Sequence, residues 1–268
     1  MDLGDRMKQY EGQETERTFI PGLPVIVRLD GRAFHTFTRG LVKPFDYAFM
    51  ALMEEVTKAL VQETNAVIGY TQSDEISLVL WNSDPKVHPY FGGRIQKTVS
   101  VLASKATAEF NAHLSRQIPE KVGEMPLFDA RAFVVPTLEE AANCLLWREQ
   151  DATKNSISAA AQAHFPHKDL HGLHSNQLQE RLWAEAGVNW NTYPTSAKRG
   201  SYWAKRTVEV PFSADDLNQL PPRHAARTDP NFKLTRTGVV QLDLPPLGSV
   251  ANRVGVLFHG EQPVIRTT

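Results

Sequence analysis

The chain has 268 residues, with 29 lysines and arginines against 30 aspartates and glutamates, for a net charge of −1. That length buries a substantial core as one large domain or two small ones. The balanced charge excludes a global basic field, so any nucleic acid must be met by a local patch. The one cysteine, Cys144, excludes internal disulfides and cysteine-based zinc motifs. The N-terminus has no apolar signal region and no run approaches membrane-spanning length, which predicts a cytoplasmic protein without a membrane partner.

Residues 1–18 are polar, and Met1 to Tyr10 read as a short helix ended by Glu11-Gly12-Gln13. Leu23 to Leu29 is an apolar, β-branched strand that stops at Asp30-Gly31. Asp46 is placed to cap a helix over Tyr47 to Gln62, with Phe49, Leu52, Met53, Val56 and Leu60 at helical spacing. Ala66 to Tyr70 and Ile76 to Trp81 form a hairpin whose bend is Thr71-Gln72-Ser73-Asp74-Glu75. A long helix is expected from Gly92 to Leu114, with Arg94 and Lys97 on one face of its first turns.

Phe128 to Val135 is the fourth strand, and Pro136-Thr137 opens a helix through Arg148 that continues from Asp151 to Ala163. Asn176 to Glu185 is helical and ends at Gly187. Trp190 to Lys198 reads as a loop, and Tyr202 to Val210 as a strand pairing with Gly238 to Leu242. The order strand–helix–strand–strand–helix–strand predicts an α+β, ferredoxin-like βαββαβ core. In that topology the first and third strands are neighbours, which brings Asp30 near Asp74.

Two carboxylates ending two apolar strands are costly unless paired or holding a cation. They match the needs of Mg²⁺ in phosphoryl chemistry, where one or two carboxylates leave positions for water and phosphates. The plain alternative is that each Asp caps a turn. His164, His167, His171 and His174 are closely spaced, but Pro166 interrupts any helix and no cysteine assists, so a surface loop is preferred over zinc.

The stretch Arg28-Leu29-Asp30-Gly31-Arg32-Ala33-Phe34-His35, then Lys43-Pro44, then Gln72-Ser73-Asp74-Glu75 resembles the tRNA(His) guanylyltransferase family and its Thg1-like relatives. Gly93-Arg94-Ile95-Gln96-Lys97, Asp129-Ala130-Arg131, Trp147-Arg148 with Asp151, and Arg199-Gly200-Ser201 extend the likeness over about residues 5–205. The resemblance implies a polymerase-palm catalytic core over residues 1–137. Residues 138–268 would complete the fold and contact tRNA. It further implies a 3′-to-5′ nucleotidyltransferase using ATP, GTP or other nucleoside triphosphates, two Mg²⁺ ions and a homotetrameric assembly.

On that resemblance Asp30, Asp74 and the Gly31 carbonyl would hold the metals, with Glu75 in support. Asp30 to His35 (Asp30, Gly31, Arg32, Ala33, Phe34, His35) would wrap the nucleotide. Lys43, Ser73, Arg94 and Lys97 would meet the triphosphate. Asn155 would contact RNA, and the basic residues Lys198, Arg199, Arg223, Arg227, Lys233 and Arg236 are read from the sequence itself as tRNA-phosphate contacts, a solvated basic surface being the alternative.

Eukaryotic members carry His-Ile-Asn-Asn-Leu-Tyr-Asn-Thr where this chain reads Thr153-Lys154-Asn155-Ser156-Ile157-Ser158-Ala159-Ala160. The departure favours template-dependent repair of 5′-truncated tRNA over strict addition of G to tRNA(His). A nucleotide cyclase and a non-catalytic RNA-binding relative are the competing readings.

Overall fold

The computed structural model describes residues 1–267 apart from Asn65, Pro85 and Pro230. Its framework is an antiparallel sheet of β1 (Val25–Gly31), β2 (Ala66–Gln72), β3 (Glu75–Leu80), β4 (Phe128–Val134), β5 (Ser201–Pro211) and β6 (Lys233–Leu242). The strand order is β4-β1-β3-β2-β5-β6. The first four strands, with their two intervening helices, have the order and adjacency of the expected ferredoxin-like core. The sheet continues past residue 137, because β5 pairs with β2 through Ile68↔Ala204 to Thr71↔Ser201.

Strand alternation divides the sheet into two faces. Val25, Val27, Leu29, Ile76, Leu78 and Leu80 point to one side. There they meet α3 (Tyr47–Glu63) and α4 (Ile95–Gln117), which bring Leu52, Met53, Val56, Leu60, Leu102, Ala106 and Phe110. Ile26, Ile68, Tyr70 and Val79 point to the other side, against Ala141, Ala142 and Leu145 of α5 (Leu138–His164). Leu257 and Phe258 near the C-terminus complete that second layer.

Local chemistry accounts for the helix ends. The Asp46 carboxylate accepts from the Phe49 N–H at 2.9 Å and opens α3. The Thr137 hydroxyl accepts from the Glu140 N–H at 3.2 Å and opens α5. Gly187, at φ +67°, closes α6 (Ser175–Ala186).

Three expectations shift. The first helix, α1 (Leu3–Thr15), runs through Gly12 instead of ending before it, opened by the Asp2 side chain on the Asp5 N–H. The long helix begins at Ile95, because Gly92 and Gly93 take φ of +64° and +75° and form a tight turn first. The stretch read as a loop holds a short helix, α7 (Thr195–Arg199).

A buried carboxylate sits between α5 and the sheet's second face. Glu149 is 4% exposed, accepts from the Tyr202 hydroxyl at 3.0 Å and from the Leu247 N–H at 2.8 Å. Burial raises its pKa above the usual 4.5, more than those two hydrogen bonds lower it. The folded chain therefore holds this proton to higher pH than the unfolded chain. Stability from this group is full at low pH and declines as pH rises from about 4.5 through the folded value. Glu149→Gln is expected to flatten that decline in thermal melts recorded across mildly acidic pH.

Candidate active site

Asp30 is the penultimate residue of β1, and its register partners are Glu75 of β3 and Asp129 of β4. All three carboxylates project from the sheet face that α5 covers only in part. Asp74 lies in the turn between β2 and β3, after Ser73 at φ +53°. Gly31 ties the two motifs together, since its N–H donates to the Asp74 carbonyl at 3.1 Å. No side chain fits at position 31, because a Cβ would lie 2.3 Å from the Phe34 ring.

Desolvation is the largest influence on both aspartates and raises the pKa of each. The repulsion of Glu75 and Asp129 adds to this at Asp30, and that of Asp30 adds at Asp74. The nearest cation to Asp30 is Arg131, at 3.9 Å. Two crowded carboxylates, whose one ion pair is at the long limit of that interaction, are a donor set suited to Mg²⁺. Among the described residues no group of three His, Cys, Asp or Glu side chains is placed to hold a metal.

The aspartates open onto a cleft of about 360 Å³. One wall is Lys43-Pro44-Phe45-Asp46 with Met50 of α3; the other is Asn155, Ser156 and Ala159 of α5 with Ser196 of α7. Lys43 and Ser73 both line it. The short helix α2 (Phe34–Phe37) follows Gly31, started by Ala33 at φ +57°. Arg32, Ala33 and His35 are exposed there. Phe34 is 2% exposed, packed on Phe37, Phe49, Phe110 and Phe128 at centroid distances of 5.1–6.1 Å. Its ring belongs to the core, and of the stretch Asp30 to His35 only Asp30 lines the cleft.

Glu75 is committed elsewhere. Arg148 of α5 donates to it through Nε at 2.7 Å and Nη2 at 2.8 Å, and Arg28 of β1 donates at 3.0 Å. A carboxylate shared by two guanidinium groups has little left for a metal, so its support of the site is through placement of β1 and α5. Arg148 is the residue that sequence reasoning left outside the site, and the signal for it was the Trp147-Arg148 motif.

Arg94 and Lys97 are not brought to the cleft within one chain. They stand at the start of α4, beside Thr18 and over the Phe91 ring. That helix packs on the sheet face opposite Asp30, and its start lies past the Val25 end of β1. The five residue steps from Val25 to Asp30 alone span about 17 Å. Proximity along the motif series does not imply proximity in space here.

The expected RNA contacts divide similarly. Asn155 lines the cleft and is exposed. Lys198 donates to the Asn191 carbonyl at 2.6 Å, and Arg199 to the Leu244 carbonyl at 3.3 Å. Arg227 donates to the Leu220 and Pro221 carbonyls, Lys233 pairs with Glu209, and Arg236 pairs with Asp216. Arg223 is exposed. The histidines are dispersed in role: His164 lies in the last turn of α5, and the His174 N–H caps α6 against the Gln177 side chain at 2.8 Å.

A family model described as "Thg1: tRNAHis guanylyltransferase" matches residues 4–136. The tRNA(His) guanylyltransferase of Saccharomyces cerevisiae is 30% identical over 205 residues, covering 70% of this chain and 85% of that protein. This chain belongs to the tRNA(His) guanylyltransferase family. A solved bacterial Thg1-like protein in complex with ATP superposes with TM-score 0.72 at 43% identity, over 76% of this chain and 88% of that one. Another bacterial Thg1-like protein, in complex with GTP, gives 0.71 at 34% identity, over 92% and 94%. Family membership makes this chain an enzyme of the nucleotidyltransferase class with a palm-like core. No helix among the described residues is long and apolar enough to cross a membrane.

The Glu75–Arg148 pair is bidentate and nearly buried, with side chains 12% and 14% exposed. Arg148→Ala is expected to cost about 3 kcal/mol in denaturant unfolding, because it leaves a buried carboxylate short of a partner. Arg148→Lys is expected to recover less than half of that, since an ammonium cannot reproduce the fork.

Proposed function

We propose that this chain is a Mg²⁺-dependent 3′-to-5′ nucleotidyltransferase that extends the 5′ end of tRNA. A nucleoside triphosphate activates the 5′ end, and the 3′-hydroxyl of the incoming nucleotide then attacks the activated phosphate and displaces its leaving group. The observation that carries the reading is the pair Asp30 and Asp74, joined through Gly31 and opening onto a cleft of nucleotide size. Asp30, Asp74 and the Gly31 carbonyl are the groups that would hold the metal. Bound there, Mg²⁺ supplies charge neutralisation and orientation for in-line displacement at phosphorus.

The chain's own residues do the positioning. Lys43 and Ser73 meet phosphate oxygens from the cleft wall. The backbone from Gly31 to His35 follows the nucleotide, held by the buried Phe34 ring. Arg94 and Lys97 serve the cleft of a neighbouring copy, which makes the expected tetramer part of a complete site. Glu75 keeps Arg28 and Arg148 in place instead of binding the metal itself.

The substrate is a 5′-truncated tRNA, extended by template-dependent repair. The α5 segment that replaces the eukaryotic His-Ile-Asn-Asn stretch supports this. Of its three cleft-lining residues, Ala159 has no polar atom. The Ser156 hydroxyl is occupied by the Lys198 carbonyl at 3.0 Å and the Trp190 N–H at 3.2 Å. Asn155 is exposed, and its amide nitrogen donates to the Asp151 carboxylate at 3.4 Å, which leaves its carbonyl oxygen for a base. A wall so short of polar groups leaves the choice of nucleotide to pairing with the opposite strand, while the protein reads helix end and shape.

Asp30→Ala and Asp74→Ala are each expected to abolish Mg²⁺-dependent nucleotide incorporation, a loss of about 10³-fold or more, with circular dichroism unchanged. Full activity in both variants would overturn the assignment. Offered 5′-truncated and full-length tRNAs with each labelled triphosphate, the protein is expected to add only template-matched nucleotides to truncated ends. Addition of G to tRNA(His) alone, without regard to the opposite base, would replace repair with guanylyl addition. RNA binding without incorporation on any end would make the chain a non-catalytic relative.

A further inference from the structure

A strip of the sheet beside Asp30 is left uncovered. The β4 strand is the sheet edge, and Ala130, Ala132 and Val134 pack inward with the first core. Alternation turns Asp129, Arg131 and Phe133 to the opposite face, and all three are exposed. That is the face on which α5 covers Ile26, Ile68, Tyr70 and Val79. The α5 layer stops short of β4, and Trp147 stands on its open side, 51% exposed. Phe133, opposite Ile26 in register, is 39% exposed.

Trp147 is not a loose surface residue. The Arg28 guanidinium carbon lies 5.4 Å from its ring centroid, and that of Arg148 lies 4.6 Å away. Both arginines are fixed by Glu75. The indole is thus held by cation–π contacts from groups that are themselves ion-paired, while half of its surface faces solvent. Two exposed aromatics and an arginine on a partly bare βαββαβ sheet are the elements with which such sheets stack unpaired bases. Arg131 joins this strip to the cleft, since it is the cation nearest Asp30.

We propose that Trp147 and Phe133 form a stacking platform for unpaired nucleotides of the RNA strand opposite the 5′ end being extended. The inference rests on the nucleotidyltransferase reading for its RNA and adds the place where the opposing strand is held. The charge balance supports stacking over phosphate attraction. Arg28 and Arg148 are spent on Glu75, and Arg131 is shared with Asp30 and Asp129. The platform therefore binds bases with little counterion release, so its contribution varies weakly with salt.

The test measures affinity of the full chain for two RNA hairpins by filter binding. One carries an unpaired 3′ tail and the other is blunt. Trp147→Ala and Phe133→Ala are each expected to weaken binding of the tailed hairpin about tenfold and to leave the blunt one unchanged. Trp147→Tyr is expected to restore most of the loss, and the salt slope of the tailed hairpin is expected to be the same in wild type and variants. The cation–π contacts of Arg28 and Arg148 are made with Trp147, so the Phe133 variant leaves them in place and separates stacking from damage to the Glu75 pairs.

Equal weakening for both hairpins, or no weakening in Phe133→Ala, would overturn the proposal. So would sedimentation showing that either variant dissociates the protein while its tailed-hairpin affinity holds, because the strip would then be an interface between copies. Asp30→Ala serves as the control that keeps the two ideas apart: loss of incorporation tests the catalytic reading, whereas tail-dependent binding tests the platform.

Discussion

The two guanidinium groups that share Glu75 hold the architecture of the site together. Arg28 comes from β1, Glu75 from β3 and Arg148 from α5, so a single carboxylate joins two central strands to the helix crossing them. A bidentate arginine fixes orientation as well as distance. With α5 held in this way, Asn155, Ser156 and Ala159 stand opposite Lys43 and Phe45, and a cleft exists. Trp147, one residue earlier on the helix, is turned outward by the same contact. The chain thus uses one ion-pair network to set the cleft wall and to present an aromatic surface beside it.

The two aspartates are treated in the opposite manner. Asp30 is crowded by Glu75 and Asp129 and Asp74 by Asp30 and Glu75, and neither the arginines near Asp30 nor the hydrogen bonds at Asp74 offset their burial. Local consistency is weakest at these two positions, as it is at functional sites generally. The core around Phe34 and the ion pairs around Glu75 supply the stability that lets this crowding persist. The acidic residues therefore divide: Glu75 and Glu149 are satisfied internally, whereas burial raises the pKa of Asp30 and Asp74 at the mouth of the cleft.

Much of this was legible in the residues. Apolar alternation and the abrupt stops at Asp30 and Asp74 gave the strands, their neighbours and the aspartate pair, because burial on both faces leaves a continuous apolar record. The helix caps at Asp46, Thr137 and Gly187 were equally readable. The length of α1 was not, since a glycine inside a helix costs only about 1 kcal/mol and does not oblige it to stop. The link from Arg148 to Glu75 spans 73 positions, and no periodicity reports such a contact. Arg94 and Lys97 show a subtler limit. Helical spacing said they share a face but not where that face lies. A helix following β3 must begin at the end of the sheet away from the β2–β3 turn, so topology already placed them far from Asp74.

Phe34 has one residue serving two masters. It follows within four residues of Asp30, and its ring is the hub of a five-membered aromatic core. Gly31 before it has no room for a side chain. The stretch nearest the chemistry is consequently closed to evolutionary exploration, because any change there is paid in folding. Divergence toward new RNA ends or new nucleotides has to proceed across the cleft on α5, at Asn155 and Ala159, since the Ser156 between them is buried and hydrogen-bonded.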